Sequence, residues 1–337
     1  MINFRYHLIS LVAVFLALAV GVVMGSAVID KAVVETLEDQ QRDIDERVDQ
    51  AIAENEGLRA ELSEVQDRSQ RLADEATPLL LADRLDGVPV LVLATRGVAP
   101  EAIDAAVALL DTAGAVHEGT LWFTDRLTLG AEEERRDLAR ALGRSEELAD
   151  VALRSIAADD LAEALAGDPL DQGATGTDGE AAPGPGIAGP DAAGPDAIAE
   201  LRDAGFVDFD PPEGAEPQTT GLGSPGTRLL FVSGPGAVLD DDLWARPLAA
   251  ALVGQAPRPP LLPLLVAEAY APGVEDQARL TAALRADDGL SARLSTVNRI
   301  DDFAGQLAVV LALQDLGEGR VGHYGRDAQR LIPAPAG

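Results

Sequence analysis

The chain has 337 residues, 47% of them hydrophobic, which is enough to bury one or two cores. Its net charge of -31 excludes nucleic acid as a partner, because nothing could neutralise a phosphate backbone, and it argues against a soluble domain held on anionic lipid. The absence of cysteine excludes disulfides, thiolate metal sites, iron–sulfur clusters and cysteine nucleophiles. The acid is spread along the chain, so it reads as a solubility device. The one lysine, Lys31, rules out a Walker A site or a Schiff base further along. His7, His117 and His323 are far apart in sequence, and neither H-E-x-x-H nor G-x-S-x-G occurs. No catalytic residue is assigned, and the chain reads as non-enzymatic.

The first element is LISLVAVFLALAVGVVMGSAVI, residues 8–29, which is 22 residues without a charge. As a helix rising about 1.5 Å per residue it spans about 33 Å, enough to cross a bilayer core. Arg5 and the terminal amine precede it. Asp30, Glu35, Glu38 and Asp39 follow it, against Lys31 alone. That asymmetry predicts a cytoplasmic N-terminus and an extracytoplasmic main domain. A cleaved signal peptide is the competing reading, with Gly25-Ser26-Ala27 as its small-residue site. However, the apolar run exceeds the usual length and flows into further helix, so the segment is taken as a retained anchor, residues 1–30. Within it Ala13, Ala17, Gly21 and Gly25 recur every four residues on one face, and such small residues let two membrane helices approach closely.

Residues 31–77 carry a seven-residue repeat. One set reads Leu37, Ile44, Ala51, Leu58, Val65, Leu72, all apolar. The interleaved set reads Val34, Gln41, Val48, Asn55, Leu62, Ser69, Ala76, polar at three positions. With charged flanks this predicts a coiled coil, hence a homodimer through the rod and the membrane helix, with Asn55 placed to fix register. The alternative is a helix laid along the protein's own globular part. Pro78 is expected to end the rod, which would hold the following domain well off the membrane.

From residue 85 to 332 strand and helix patterns alternate. VPVLVLA (88–94) is a continuous apolar run suited to a strand buried on both faces. Then come a helix over 100–114, a strand at TLWF (120–123) and helices over 131–143 and 145–166. The order resumes with RLLFVSG (228–234), a helix over 240–253, LLPLLVAEA (261–269), a helix over 274–286, LSTVNRID (294–301) and an apolar helix over 303–316. This predicts an α/β layered domain with a mostly parallel sheet. A stretch at about 167–196, poor in large apolar and basic residues, reads as a disordered insertion.

Gly221-Leu-Gly223-Ser-Pro-Gly226 has G-x-G-x-x-G spacing but precedes a strand, the reverse of the dinucleotide arrangement. Gly234-Pro-Gly236 follows a strand and leads into a helix, so it could cradle an anion, although Asp240, Asp241 and Asp242 would repel one. Asp208, Asp210 and Asp240–Asp242 lack the spacing of a dedicated hard-cation loop.

STVNRIDDFAGQLAVVLALQDLGEGRVGHYG (295–325) and NFRYHLISLVAVFLALAVGVVMGS at the start resemble the mycobacterial copper transport protein B family of actinobacterial envelope proteins. The resemblance implies copper homeostasis, as a copper-efflux or outer-membrane channel component. A related branch looks like a regulator of cell division and cell-wall hydrolysis that works with a membrane partner, so an envelope or divisome partner protein is implied. Copper is a possible cofactor by that resemblance alone. The residues fit it unevenly, since copper(I) prefers sulfur ligands and Met24 is the one internal methionine, inside the anchor. Copper(II) accepts imidazole, which leaves His117 and His323 as metal candidates. His323 and Tyr324 are also candidates for meeting a partner, against a purely structural turn among Gly317, Gly319, Gly322 and Gly325. One membrane helix encloses no pore. The expectation is therefore a single-pass, dimeric, membrane-tethered component of copper efflux, or alternatively a coiled-coil scaffold that recruits a division or wall-hydrolysis regulator.

Overall fold

The computed structural model describes residues 4–166, 197–212, 214–216, 222–223, 226–254, 262–270, 279–326, 328 and 330–334. The insertion expected at 167–196 lies outside them. The chain divides into two compact units, residues 1–72 and 73–337.

From Phe4 onward the first unit is helix and belongs to α1, Phe4–Leu81. Arg5–Gly25 is apolar enough and long enough to cross a membrane. The expected stop at Pro78 does not occur, because the proline stands inside the helix. Proline removes one backbone donor and crowds the preceding turn. Against that, Leu81 and Leu85 are completely buried beneath the second unit's core, and each such burial stabilises by about 1.5–3 kcal/mol. The helix ends instead at Leu81, and Asp83 just beyond it takes a left-handed φ of 60°.

The second unit is a doubly wound α/β domain. Its strands are β1 (Pro89–Thr95), β2 (Val116–Phe123), β3 (Val207–Asp210), β4 (Arg228–Ser233), β5 (Leu264–Glu268), β6 (Ser295–Asn298) and β7 (His323–Tyr324), in the order β3-β2-β1-β4-β5-β6-β7. All neighbours are parallel except β2 and β3. The strands are apolar without interruption because alternate side chains enter two separate cores. Leu91, Leu93, Leu229, Phe231, Leu264 and Val266 face one; Val90, Val92, Leu230, Val232, Leu265 and Ala267 face the other.

Helices α3 (Glu132–Ala141), α4 (Asp150–Ala166), α5 (Ala197–Asp203), α6 (Arg246–Val253), α7 (Arg279–Ala286) and α8 (Asp288–Ser291) cover the first face. Helices α2 (Pro100–Thr112) and α9 (Phe303–Gly317) cover the second, with the end of α1. The step from β1 to β2 runs one way over the second face. The steps from β4 to β5 and from β5 to β6 run the other way over the first, so all three have one hand. The last step, from β6 to β7, continues outward but passes over the second face through α9, and so has the opposite, rarer hand. Strand β7 contributes two residues.

Strand order reverses between β1 and β4, the place where open α/β sheets put ligands outside the carboxyl ends of their strands. Here that crevice is closed by main chain. Val238 N–H donates to Arg96 O at 2.8 Å. Gly97 (φ 88°) and Gly236 (φ 91°) approach so closely that a Cβ on either would overlap the other's carbonyl oxygen. Alanine at either position adds backbone strain to a main-chain clash. We expect Gly97→Ala and Gly236→Ala each to cost roughly 2–4 kcal/mol, read by thermal denaturation. Gly143→Ala has the same sign of φ but open space around it, and should cost roughly 1 kcal/mol.

Candidate functional site

Three groups of polar side chains around the sheet contain residues singled out from sequence. The first lies behind the closed crevice, at the carboxyl ends of β4 and β5. Ser233 Oγ donates to Asp241 Oδ1 at 3.1 Å. The buried Glu268 carboxylate accepts from Thr281 N–H at 3.2 Å and from its hydroxyl at 2.7 Å. Asp241 begins a π-helical turn, Asp241–Ala245, capped by Asp240, whose carboxylate accepts from Asp242 N–H. Burial above all, then the nearby Glu268, Asp240 and Asp242 charges, pushes the Asp241 carboxyl up to about 6, against the Ser233 hydrogen bond.

The second place is the end of β7. His323 Nε2 lies 3.1 Å from Ser291 O and Nδ1 lies 2.9 Å from Thr296 Oγ1. Arg285 Nε donates to the same Thr296 hydroxyl at 2.8 Å, and Arg285 Nη2 donates to Tyr324 O at 2.9 Å. The sense of the chain follows from the groups, since a carbonyl only accepts and a guanidinium only donates. Arg285 donates to Thr296, the threonine hydroxyl donates to Nδ1, and the Nε2 proton goes to Ser291 O. Both imidazole nitrogens are therefore committed. Tyr324 is buried in the second core and turns its side chain inward. Burial first, then the Arg285 charge, holds the His323 pKa below its ordinary value, against the Ser291 hydrogen bond.

The third place is a groove of about 300 Å³ between α2 and β2–β3, beside Asp104, Val107, Asp111, His117, Trp122 and Asp210. Trp122 Nε1–H donates to Asp210 at 2.6 Å. Arg96 stacks over the indole, 4.4 Å from its centroid, and pairs with Asp208 at 2.9 Å. His117 Nε2 lies 3.4 Å from Thr120 Oγ1. Burial lowers the His117 pKa against a hydrogen bond to Gly119 and the charge of Asp111.

The two histidines singled out from sequence stand at different parts of the sheet, His117 on β2 and His323 on β7. Asp208 and Asp210 lie on the edge strand β3, whereas Asp240–Asp242 follow β4, with β2 and β1 between the two strands. Among the described residues no three His, Cys, Asp or Glu side chains are grouped so as to hold a metal ion. The donor set does not fit a resident copper centre: cysteine is absent, Met24 lies in the apolar helix and the imidazole of His323 is spent internally. Arg285, Thr296 and Ser291 carry no pattern in sequence that links them to His323; the fold alone joins them.

On α1, Ala13, Ala17 and Gly21 are exposed on one helical face, and an added Cβ at Gly21 or Gly25 would meet nothing. Val48 is 49% exposed and Leu58, Leu62 and Val65 are each 58% exposed, with Ile44 and Asn55 also open. The side chains of Leu37 and Leu72 lie outside those described.

An apolar N-terminal helix followed by a doubly wound α/β domain, both of whose faces are covered, defines a membrane-associated α/β protein. The family model described as "Copper transport outer membrane protein, MctB" matches residues 1–333, and the chain belongs to that family. It is 28% identical over 326 residues to Copper transporter MctB of Mycobacterium tuberculosis (strain ATCC 25618 / H37Rv), covering 96% of each chain. It is 28% identical over 328 residues to Copper transporter MctB of Mycobacterium leprae (strain TN), again over 96% of each.

The burial of His323 beside the Arg285 charge predicts an acid-labile fold. Its folded pKa lies below the unfolded value of about 6.5. The unfolded chain thus binds the proton first, and stability falls as pH drops below about 6.5 towards the folded pKa. In urea unfolding across pH 7.5–5, His323→Gln should be less stable at neutral pH and show a flatter decline over that window. Asp241 has the opposite sign. Its carboxyl titrates at about 6 in the fold against 3.8 unfolded, so ionisation opposes folding increasingly from about pH 4 to 6. Asp241→Asn should raise the midpoint at pH 7.5 and lose that advantage below pH 4.

Proposed function

We propose that the chain acts as a single-pass homodimer tethered in the cell envelope. Its N-terminus is cytoplasmic, its α/β domain is extracytoplasmic, and it serves copper efflux as a non-enzymatic accessory. Support for a copper role comes from the family and from the names of its mycobacterial relatives. Support for an accessory role comes from the donor inventory. Imidazoles that are committed or isolated, with no cysteine, suit a protein that organises a copper-handling assembly better than one that chelates the ion.

The observation that carries the dimer is the exposed apolar seam of α1. Val34 and Leu37 stand three residues apart, so the set beginning at Val34 occupies the a positions and the set beginning at Leu37 the d positions. Gln41, Asn55 and Ser69 then fall at a, spaced by two heptads. A buried asparagine at a is the best-attested device for choosing a parallel, in-register pair at a cost in stability. Glu54 at g faces Arg59 at e of the other helix in that register, which adds an attraction where the chain is otherwise acidic. The small-residue face of the apolar helix is a separate packing surface in lipid, since Gly25 stands nine residues before Val34 and so about half a turn round the helix from the seam.

A second reading shares this dimer and replaces copper by recruitment of a division or wall-hydrolysis regulator. It is favoured by the closed crevice, which turns the domain towards surface contacts.

Oxidising membranes that carry Leu58→Cys should give a disulfide-linked dimer, because in-register d positions face each other; a monomeric product contradicts the pairing. In cells lacking the native gene, the wild-type chain and His117→Ala should restore growth in copper, and Leu58→Asp/Leu62→Asp should not. Full copper tolerance of the null strain, together with a cell-separation defect, would favour the recruitment reading.

A further inference from the structure

Strand β3 ends the sheet. It pairs with β2 on one side, and among the described residues no strand pairs with its other edge. Its alternation is divided sharply between the two faces. Val207 and Phe209 turn into the first core, whereas Asp208 and Asp210 lie on the face shared with Trp122 and Thr120. That second face is not filled there. The groove of about 300 Å³ beside α2 runs along it, with Asp104 and Asp111 on the helix, Asp210 on the strand and Val107 and Trp122 beneath.

The charges in the groove are unevenly matched. Asp208 is paired with Arg96. Among the described residues Asp210 receives the Trp122 N–H, and Asp104 and Asp111 take part in none of the ion pairs. His117, with its pKa lowered by burial, does not neutralise them at pH 7. The carboxylates are not clustered tightly enough to chelate a metal ion.

We propose that the β3 edge and this groove form a docking site for an extended basic segment of a partner protein, which adds to the sheet as a further strand. Main-chain hydrogen bonds to the open edge would supply affinity, and alternate side chains specificity. The partner strand must alternate as β3 does. Arginine or lysine at every second position lies beside Asp208 and Asp210 and reaches Asp104 and Asp111, while apolar residues between them extend the first core. Charge also decides against a second copy as the occupant. Two acidic edges repel, in a chain of net charge -31, and acid on an edge strand is a known guard against self-pairing. The same acid invites a basic strand. This site is independent of copper and of the α1 dimer.

The test uses the full-length protein in detergent, with an acetylated eight-residue peptide alternating arginine and valine as probe. Of the two tryptophans, Trp122 lines the groove whereas Trp244 lies in the core of the opposite face, so a fluorescence change on titration is read chiefly from Trp122. We expect saturable one-to-one binding that weakens as salt is raised. Asp104→Asn/Asp111→Asn, on exposed positions of α2, should weaken it at least tenfold without altering the thermal midpoint. Glu132→Gln/Glu133→Gln on α3, at the first face, should change it less than twofold. A peptide of the same charge with a central proline should bind at least tenfold more weakly, since it cannot continue a ladder. Absence of binding overturns the proposal. So does equal binding of the proline peptide, or equal weakening by the α3 pair, because either would reduce the effect to general attraction by an acidic surface.

Discussion

The main-chain contact between the loops after β1 and β4 sets what this domain can do. In an open parallel sheet the reversal of strand order leaves a gap at the carboxyl edge, and that gap is the usual ligand site. Gly97 and Gly236 fill it with backbone, and the Val238–Arg96 hydrogen bond holds the two loops together. The polar groups below it, Ser233 with Asp241 and Glu268 with Thr281, satisfy one another. Buried polar groups satisfied this way rigidify a fold. With the crevice shut, the open surfaces among the described residues include the β3 edge, the groove beside α2, a larger cavity between α6 and α8 and the exposed apolar side chains of α1.

The two histidines show how context turns a potential ligand into a structural group. His323 lies on a two-residue strand placed by the rare-handed return over α9, where Arg285 and Thr296 from neighbouring elements fix its tautomer. The neutral ring is what the site is built for, so acid weakens the attachment of β7. The positive charge of Arg285 acts in the same direction as burial. His117 sits in a half-buried groove whose carboxylates surround it without converging. Imidazole chemistry is thus present in both places, while the open, convergent lone pairs that copper needs are not.

Much of the architecture was legible in the sequence. The apolar runs at 88–94, 228–234 and 261–269 are strands because a parallel sheet buried on both faces needs no polar alternation, and the intervening 3.6-residue periodicity marked α2, α6 and α9. Strand β3 was not legible. Val-Asp-Phe-Asp alternates as a half-exposed edge does, but it is four residues long and follows the compositionally biased insertion. Strand β7 was hidden for a similar reason, since two residues carry no period. Pro78 misled because its local preference is outweighed by the burial of Leu81 and Leu85. The seven-residue apolar spacing along α1 could be read from the sequence alone. The chain from Arg285 through Thr296 to His323 could not, as its members are brought together by sheet order.

The central claim is that this copper-transport family member works through surfaces rather than through a metal centre of its own. Calorimetric titration of the full-length protein with copper(I) under reducing conditions, and with copper(II), tests it most directly. The account predicts no site tighter than about micromolar for either ion, as a lone or committed imidazole allows. Stoichiometric binding in the nanomolar range, retained at pH 7.5 in the folded protein, would contradict it.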